Sequence, residues 1–556
     1  MLATARNFTL GVLLIFCAAS AFAAANPTTI KGTVTDNTGK PVKGAMVSAS
    51  QGTKLVARFS QADGKYSLAV PAGTYDVKAE MYGFGTKRLS KDSTQADDAN
   101  FTLTPSFNVS QLTSAEVEEL LPNTDQARLL EIECIRCHAL TYPARRAGMT
   151  AAEWSSFIPT MTRGRYFDDP AFSGDRLAAL SAALEKYFGP DSQYFGPDAT
   201  LMMDQVKHAP VSDVVLKATM HEFRVPTRDP FAHSITTDAQ GNGWFSELSE
   251  HGNKIAKFNW ETEEFTEYPL PWPHSGPHTG AFDKKGTLWM TLTGATIPAK
   301  LASLNPQTGE IKTYDFPGNK ARTHTLGIDN DGNVWTSGTT LLEFDVKSQQ
   351  FKEYKLPIPK GTEYSKDTWQ AWHNVPGKDP MPIGQSTYDT KADSKGMIWT
   401  SIESVGLLIR LNPKTGEMKT FTPPESPSIK GVEVDKDDNV WFAVFWGSRL
   451  GKFDQKTEKF TMYKAPTEFA MPYGISADRK TGDIWYADLN GNYITKFDPK
   501  TEKFDQYPIP STQASPRFPA VDPNTGRVWF TEFMNDKIGY LEPGGQGSPA
   551  NTNKGQ

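Results

Sequence analysis

The chain has few cysteines, only three among 556 residues, so a disulfide framework does not hold it together. It also lacks an apolar run of transmembrane length, because the longest candidate, Phe8–Ser20, is too short to span a bilayer. There is no basic tract and the formal net charge is −6, which excludes the electrostatic footprint of a nucleic-acid-binding protein. A chain of this length holds several domains, and we expect three.

Residues 1–25 have the pattern of a secretory signal peptide. One arginine precedes the apolar run, and Ala21-Phe22-Ala23 supplies the small residues of a cleavage site. We therefore expect a periplasmic or secreted protein with no transmembrane segment in its mature form. Cleavage would remove Cys17 and leave one pair of cysteines.

That pair lies in a C-x-x-C-H pattern, which is the attachment motif of c-type haem. Each thiol can form a thioether with a haem vinyl group, and the histidine is placed to bind the iron. A zinc site would need a second ligand pair, which no further cysteine supplies. We expect one covalent haem c, with Met161 preferred to Met149 as the second iron ligand and an open iron site as the alternative. The predicted haem residues are Cys134, Cys137, His138 and Met161.

Residues 27–105 alternate apolar and polar positions between turn signals, which predicts a small antiparallel β-sandwich. The segments Gly39–Ala45 and Asp63–Leu68 are similar to the carboxypeptidase regulatory-like family. Modules of that family are usually accessory. The resemblance therefore implies a spacer or docking domain.

Residues 113–198 change to helical spacing. Thr113–Glu118 has the features of a helix start, Gln126–Cys134 leads into the haem motif, and Asp175–Phe188 carries apolar residues at helical intervals. This segment resembles class I c-type cytochromes, in which a methionine from the loop before the terminal helix often binds the iron. The resemblance implies a small all-α cytochrome c domain.

Residues 214–545 form an internal repeat. Each unit has an Asp-Xaa-Xaa-Gly turn or a close variant before a tryptophan, and repeat periods of roughly 40–50 residues made of four short strands are typical of propeller blades. The repeated tryptophans are Trp244, Trp289, Trp335, Trp399, Trp441, Trp485 and Trp529. They predict a seven-bladed β-propeller, which gives a multidomain, mainly β chain.

The two ends of the repeat region complement each other. The last repeat lacks a closing strand, and a matching strand, Met220–Pro226, stands alone before the first repeat. We expect one blade to combine strands from both ends, which removes free sheet edges. An insertion at 361–384 is predicted to lie on the entrance face, where it covers the channel, docks the helical domain or is an ordinary surface loop. Residues 546–556 are predicted to be a disordered tail.

One position of each repeat, at the start of the innermost strand, is always polar or ionisable. These positions should converge on the central channel and form a candidate site. Three histidines there can hold a divalent metal such as copper, or can bind an anionic substrate together with the cations. The predicted catalytic or metal-binding positions are His233, His278 and His324, and the predicted substrate-binding positions are Tyr388, Lys430, Tyr473 and Arg517.

The stretch from His233 to Glu247, with Asp238, Gly241 and Trp244 at the repeated spacing, resembles the virginiamycin B lyase family of seven-bladed propellers. The resemblance covers about residues 217–543 and implies that His233 and Glu247, with a magnesium ion, open a lactone ring by elimination. A further acidic residue of that family's site is replaced here by the pair Phe231-Ala232.

Three functions remain open. In the one we favour, the propeller oxidises a small periplasmic substrate and the haem relays the electrons to a periplasmic acceptor, because a tethered acceptor works at high effective concentration. In the second, the propeller is a metal-dependent lyase or hydrolase with Glu247 or His233 as base. The third is a binding and electron-transfer protein without catalysis, since propellers host many functions.

Overall fold

The computed structural model describes eight stretches of the chain, namely residues 28–135, 139–162, 174–195, 205–294, 298–319, 323–360, 362 and 387–544. Within them the chain is mainly β, with a β-sandwich-like region first, a helical segment next and propeller-like sheets last. The predicted signal peptide, the predicted tail and nearly all of the insertion at 361–384 lie outside the described residues. Across the described stretches, no helix is both long and apolar enough to cross a membrane.

The N-terminal region has two sheets that face each other across one apolar core. Its strands are β1 (Thr28–Asp36), β2 (Met46–Gln51), β3 (Lys54–Phe59), β4 (Lys65–Val70), β5 (Thr74–Glu80), β6 (Lys87–Asp92) and β7 (Phe101–Leu103). One sheet has the order β4, β1, β7, and the other has the order β3, β2, β5, β6. Alternate residues of β4, namely Tyr66, Leu68 and Val70, are buried in this core, as the period-2 pattern predicts.

Five α-helices follow the sandwich in the described residues. They are α1 (Ser114–Leu120), α2 (Asp125–Cys134), α3 (Thr141–Ala144), α4 (Ala151–Thr162) and α5 (Gly174–Phe188). Thr113 begins α1 with a capping box: its hydroxyl accepts the Glu116 N–H at 3.2 Å, and the Glu116 carboxylate accepts the Thr113 N–H at 2.7 Å. The helix start predicted from residues 113–118 is therefore present.

The helices share their apolar core with the sheets that follow. Leu130, Trp154 and Leu184 belong to the same buried cluster as Tyr388 and Tyr473 of the repeat region. Polar contacts reinforce this junction, because Asn490 donates to the Glu118 carboxylate at 2.7 Å and its carbonyl accepts the Ala115 N–H at 3.0 Å. In the described residues an independent all-α domain is therefore not evident.

The repeat region folds into four-stranded antiparallel sheets, each a meander in chain order. The first three sheets are β9 (Ala232–Thr237), β10 (Gly243–Glu247), β11 (Lys254–Asn259), β12 (Glu264–Pro269); β13 (Pro277–Phe282), β14 (Leu288–Leu292), β15 (Lys300–Leu304), β16 (Ile311–Asp315); and β17 (Thr323–Ile328), β18 (Val334–Gly338), β19 (Leu341–Asp345), β20 (Gln350–Tyr354). The next three are β21 (Thr390–Ala392), β22 (Ile398–Ile402), β23 (Leu407–Leu411), β24 (Met418–Phe421); β25 (Ile429–Val434), β26 (Val440–Val444), β27 (Arg449–Asp454), β28 (Lys459–Lys464); and β29 (Pro472–Ala477), β30 (Ile484–Asp488), β31 (Tyr493–Asp498), β32 (Lys503–Pro508).

A last group of strands combines both ends of the repeat region. It contains β33 (Ala520–Val521), β34 (Val528–Glu532), β35 (Lys537–Glu542) and, from before the first repeat, β8 (Thr219–Arg224). Strand β8 pairs antiparallel with β35, so the predicted sharing of strands is confirmed. The first strands of successive sheets contact one another in cyclic order, from β9 through to β33 and back to β9.

The other edge of β8 is also paired, which the sequence did not predict. Strand β3 of the sandwich lies antiparallel to β8, with Lys54 opposite Phe223 and Ala57 opposite Met220. One continuous sheet therefore runs from the repeat region into the sandwich, in the order β33, β34, β35, β8, β3, β2, β5, β6. The sandwich is fixed to the repeat region by main-chain hydrogen bonds.

The repeated tryptophans all lie on second strands, and most of them are tied to the turn aspartate. In five repeats the indole N–H donates to that carboxylate at 2.8–3.1 Å. In the third repeat the other oxygen of Asp329 accepts the N–H groups of Asp331 and Asn333, both at 2.9 Å. One carboxylate thus satisfies the turn backbone and a buried indole together, which explains why aspartate and tryptophan recur six positions apart.

Replacing Asp329 by alanine should lower the free energy of unfolding by about 2–3 kcal/mol, because the buried indole N–H of Trp335 loses its acceptor. The measurement is chemical denaturation followed by tryptophan fluorescence. Asp331→Ala, at an exposed position of the same turn, serves as the control and should change stability by less than about 0.5 kcal/mol. Equal losses in the two variants would contradict the role assigned to the Asp329 carboxylate.

Candidate functional site

The seven predicted channel positions are brought together by the structure. Ring centroids lie 3.9 Å apart between His233 and His278, 4.2 Å apart between His278 and His324, and 4.2 Å apart between His324 and Tyr388. The other three members complete the circuit: Lys430 lies 4.6 Å from the Tyr388 ring centroid and 4.8 Å from that of Tyr473, and Arg517 lies 4.9 Å from that of Tyr473. We call these seven residues the channel ring.

A β-bulge aims most of these side chains into the channel. In five sheets the ring residue and the residue after it oppose a single residue of the second strand, as His278 and Thr279 oppose Thr291. Such a two-against-one register bends a strand and redirects its side chains. One of these five sheets is the sixth along the chain, and there the residue after the ring position is Gly474. A β-carbon at this position would lie only 2.7 Å from the Arg517 carbonyl oxygen.

Hydroxyl groups on the second strands hold the bulges in place. Ser246 donates to the His278 carbonyl at 2.7 Å, and Thr531 donates to the His233 carbonyl at 3.0 Å. Each of these hydroxyl residues lies two positions after a repeated tryptophan. Thr291, Ser337 and Ser401 lie at the same position in their repeats, and each donates to the main-chain carbonyl of the ring residue in the following sheet. Sequence analysis missed this set, although the pattern Trp-Xaa-Ser/Thr was available in five repeats.

The histidine side of the ring is electrically neutral at ordinary pH. Burial is the main cause that lowers the pKa of His324 to about 4 and holds the pKa values of His233 and His278 well below their usual range, with neighbouring Arg517 adding to the effect on both. His324 Nδ1 lies 3.0 Å from the Tyr388 carbonyl oxygen and so donates to it, which leaves Nε2 as an acceptor.

The other side of the ring carries the charge and the hydroxyl groups. Lys430 forms an ion pair with Glu403 at 3.1 Å and also donates to the Tyr388 hydroxyl at 3.3 Å. The Tyr388 hydroxyl in turn donates to the Tyr473 hydroxyl at 2.5 Å. The site therefore has neutral imidazoles on one side and cations with phenolic hydroxyls on the other. Glu403 is a further member that sequence analysis did not identify.

The three histidine rings lie side by side, with His278 between His233 and His324. Neighbouring rings are tilted by 40° and 51°. Across the described stretches, no group of three or more histidine, cysteine, aspartate or glutamate side chains is arranged to hold a metal ion. The neutral imidazoles can take part in hydrogen bonds with a ligand.

Glu247 lies at the same end of its sheet as His233 but in different surroundings. It is fully buried at the end of β10, and Thr227, Lys254 and Glu267 are the polar groups that affect its carboxyl group. Burial, with a smaller contribution from Glu267, raises its pKa to about 7. The charges that affect His233 belong instead to ring residues. Glu247 lies opposite Ala232, the neighbour of His233, but the groups that act on its carboxyl group differ from those that act on His233.

The predicted haem residues are only partly described. Cys134 ends α2, is half-buried and packs against the apolar cluster that contains Tyr388 and Tyr473. Cys137 and His138 lie outside the described residues. Met161 belongs to α4, and its side chain also lies outside them. The haem motif therefore begins at the core that the helices share with the channel ring.

The raised pKa of Glu247 predicts a pH-dependent stability. Between about pH 4.5 and pH 7 the folded protein holds a proton that the unfolded chain has released, so stability falls as the pH rises through this window, by up to roughly 3 kcal/mol. Glu247→Gln should lose this contribution and gain stability relative to the wild type as the pH rises. Calorimetric unfolding midpoints at pH 5 and pH 8 measure it, with exposed Glu264→Gln as control; parallel pH profiles for the wild type and Glu247→Gln would contradict it.

Comparison with known proteins gives two family matches. Residues 188–343 and 373–551 match the virginiamycin B lyase family, and residues 29–104 match the carboxypeptidase regulatory-like domain. No curated protein sequence matches the chain.

Solved structures resemble the repeat region. A streptogramin B lyase is 21% identical and covers 60% of this chain and 99% of its own, with a TM-score of 0.50. Selenomethionine-substituted virginiamycin B lyase from Staphylococcus aureus is 22% identical and covers 58% of this chain and 99% of its own, with a TM-score of 0.49. At this identity the first likeness establishes the fold alone. Because the family match spans more than half of its residues, the chain belongs to the virginiamycin B lyase family.

Proposed function

We propose that the protein is an exported oxidoreductase that binds a small substrate at the channel ring and carries one covalent haem c beside it. The observation that carries this proposal is the shared apolar cluster, in which Cys134 of the haem motif packs against the core that includes Tyr388 and Tyr473. A haem held there would lie next to the substrate site. The signal-like residues 1–25 supply the periplasmic location that covalent haem attachment requires.

The residues fit such a group in chemistry and in surroundings. Cys134 and Cys137 have the spacing for two thioethers, His138 follows as an iron ligand, and Met161 is the candidate on the other side. The helix that ends in Cys134 is embedded among aliphatic and aromatic side chains, which suit an apolar macrocycle. When bound, haem supplies one-electron redox chemistry; a periplasmic electron acceptor would be the outside partner.

The channel ring would bind and orient the substrate. Neutral His233, His278 and His324 can form hydrogen bonds with the substrate, while Lys430 and the hydroxyl groups that it polarises can hold an oxygen atom of the substrate. The helices pack over the same cluster and exclude water from it.

We also propose that the seven strand groups close into a seven-bladed propeller, since Thr531 of the last group bonds to His233 of the first.

Replacing Cys137 by serine should abolish stable attachment of haem through two thioethers while leaving the fold of the repeat region intact. The reason is that the serine hydroxyl cannot form a thioether with a vinyl group. The measurement is haem content after acid-acetone extraction of periplasmic full-length protein, together with the thermal unfolding midpoint.

Cys17→Ser is the matched control, because this cysteine lies in the predicted signal peptide, and its haem content should equal that of the wild type. Wild-type protein without extraction-resistant haem would remove the redox proposal.

A second candidate function is a lyase of the family's own kind, and buried Glu247 favours it. A carboxyl group whose pKa is about 7 suits a general base that removes a proton next to a carbonyl group. The electron pair would then break the adjacent carbon–oxygen bond of a lactone, leaving a carboxylate and a carbon–carbon double bond. This function needs no haem, so the two candidates can be separated.

If the lyase candidate is correct, the wild type should linearise a streptogramin B lactone, and Glu247→Gln should be at least about 100-fold slower because the base is lost. Liquid chromatography separates the cyclic and linear forms. Glu264→Gln, an exposed position of the same sheet, is the control and should retain wild-type rates, as should Cys137→Ser. Absence of linear product with the wild type would eliminate this candidate.

A further inference from the structure

Two buried polar groups of the channel ring have no hydrogen-bond partner among the residues that the structure describes. One is His233 Nδ1, and the other is the hydroxyl proton of Tyr473, whose oxygen accepts from Tyr388 but for which no acceptor is found. Both residues are only 4% exposed, and their ring centroids lie 6.4 Å apart. Buried groups of this kind need a partner, so their neighbourhood is suited to a bound polar atom.

The hydrogen-bond chain that ends at Tyr473 has a fixed direction. An ammonium group can only donate, so Lys430 donates to the Tyr388 oxygen, and the Tyr388 proton goes on to the Tyr473 oxygen. The Tyr473 proton is therefore directed away from this chain of hydrogen bonds. Hydrogen bonds in such a chain polarise one another, which strengthens the last donor. A single strengthened O–H donor matches a single oxygen atom that carries negative charge.

The surroundings of this donor are aromatic. Tyr473 has Phe518 at 5.4 Å and Phe445 at 5.7 Å between ring centroids, and His233 has Phe518 at 5.6 Å and Phe533 at 5.7 Å. These edge-on and tilted rings suit the faces and edges of another flat aromatic ring.

The charges favour an anion. The guanidinium of Arg517 lies over the rings of Tyr473 and Phe533, 4.9 Å and 4.7 Å from their centroids. Lys430 lies 4.8 Å from the Tyr473 centroid and shares its charge with Glu403 at 3.1 Å, so Arg517 is the cation that favours an anion beside Tyr473.

We infer that the channel ring binds phenols as phenolates, with the phenolate oxygen accepting the Tyr473 hydroxyl proton and the aromatic body packed against Phe518 and Phe533. This inference names the substrate class of the proposed oxidoreductase. It rests on the proposed function for the role of the phenol as a substrate, whereas the binding of the phenolate can be tested by itself. Phenolates are also electron-rich, which suits a substrate that is to be oxidised.

The test is calorimetric titration of full-length protein with 4-nitrophenolate, at a pH where the phenol is ionised. Tyr473→Phe should bind about tenfold more weakly or worse, because a hydrogen bond to a charged oxygen is lost. Tyr388→Phe should bind about threefold more weakly, since it removes only the polarisation of Tyr473. The matched control is Tyr507→Phe: this tyrosine is fully buried and its hydroxyl has no partner in the described residues, so binding should stay unchanged.

A second ligand separates the hydrogen bond from general packing. 4-Nitroanisole lacks the ionisable oxygen, so it should bind the wild type more weakly than the phenolate does, and Tyr473→Phe should not change its affinity. Wild-type protein that does not bind the phenolate would overturn the inference. So would equal affinities in Tyr473→Phe and Tyr507→Phe, or tighter binding of benzoate than of the phenolate.

Haem content measured on the same samples separates this inference from the proposed function. Phenolate binding that depends on Tyr473 in protein without haem would support the inference and remove the redox proposal. Haem-loaded protein that does not bind the phenolate would overturn the inference alone. Thermal midpoints of the variants check their folding, and Tyr388→Phe provides an independent reading if Tyr473→Phe is unstable.

Discussion

The contact between neighbouring sheets depends on one repeated hydrogen bond, from a buried hydroxyl on the second strand to the main-chain carbonyl of the next sheet's channel residue. Ser246, Thr291 and Thr531 each make this bond. At the His233 and His324 carbonyls, which the β-bulge frees, the loss of this bond would cost about 1–3 kcal/mol. The His278 carbonyl has a second donor, the Ser234 hydroxyl at 2.6 Å. The bulge turns the channel residues inward, so the geometry of the candidate site depends on this bond.

The junctions between regions are as firmly built as the sheets themselves. Strand β8 is paired on both edges, which protects the end of the repeat region from further pairing and joins it to the sandwich. The helices are joined in another way, through a common apolar cluster and through the buried contact between Asn490 and Glu118. The sandwich and the helical segment are therefore both attached to the repeat region by direct contacts.

Much of the fold could be predicted from the sequence because it depends on local chemistry. The turn aspartate accepts hydrogen bonds from the N–H groups of its own turn and from the indole of a tryptophan six residues later. Because these partners are close in sequence, the pattern identified the repeats and the second strands. Counting back five residues from that aspartate located all seven members of the channel ring. Phe518 and Phe533 escaped prediction, because they belong to loops whose position depends on neighbouring sheets.

The environment of Glu247 was equally beyond prediction from the sequence. The spacing of fourteen residues between His233 and Glu247 places both at one end of a sheet, but successive side chains along a strand alternate between its faces. Only packing against Lys254 and Glu267 fixes the environment of the carboxyl group.

The sequence by itself determined the repeat, the identity of the channel residues and the presence of a haem-attachment pattern, since each is a matter of residue type at fixed spacing. The tertiary structure decided which of these residues meet. It placed Tyr388 between Lys430 and Tyr473 and gave the helices a core in common with the ring. The physical reason is that burial, direction of hydrogen bonding and charge pairing are properties of contacts between distant segments, which the spacing of residues along the chain does not encode.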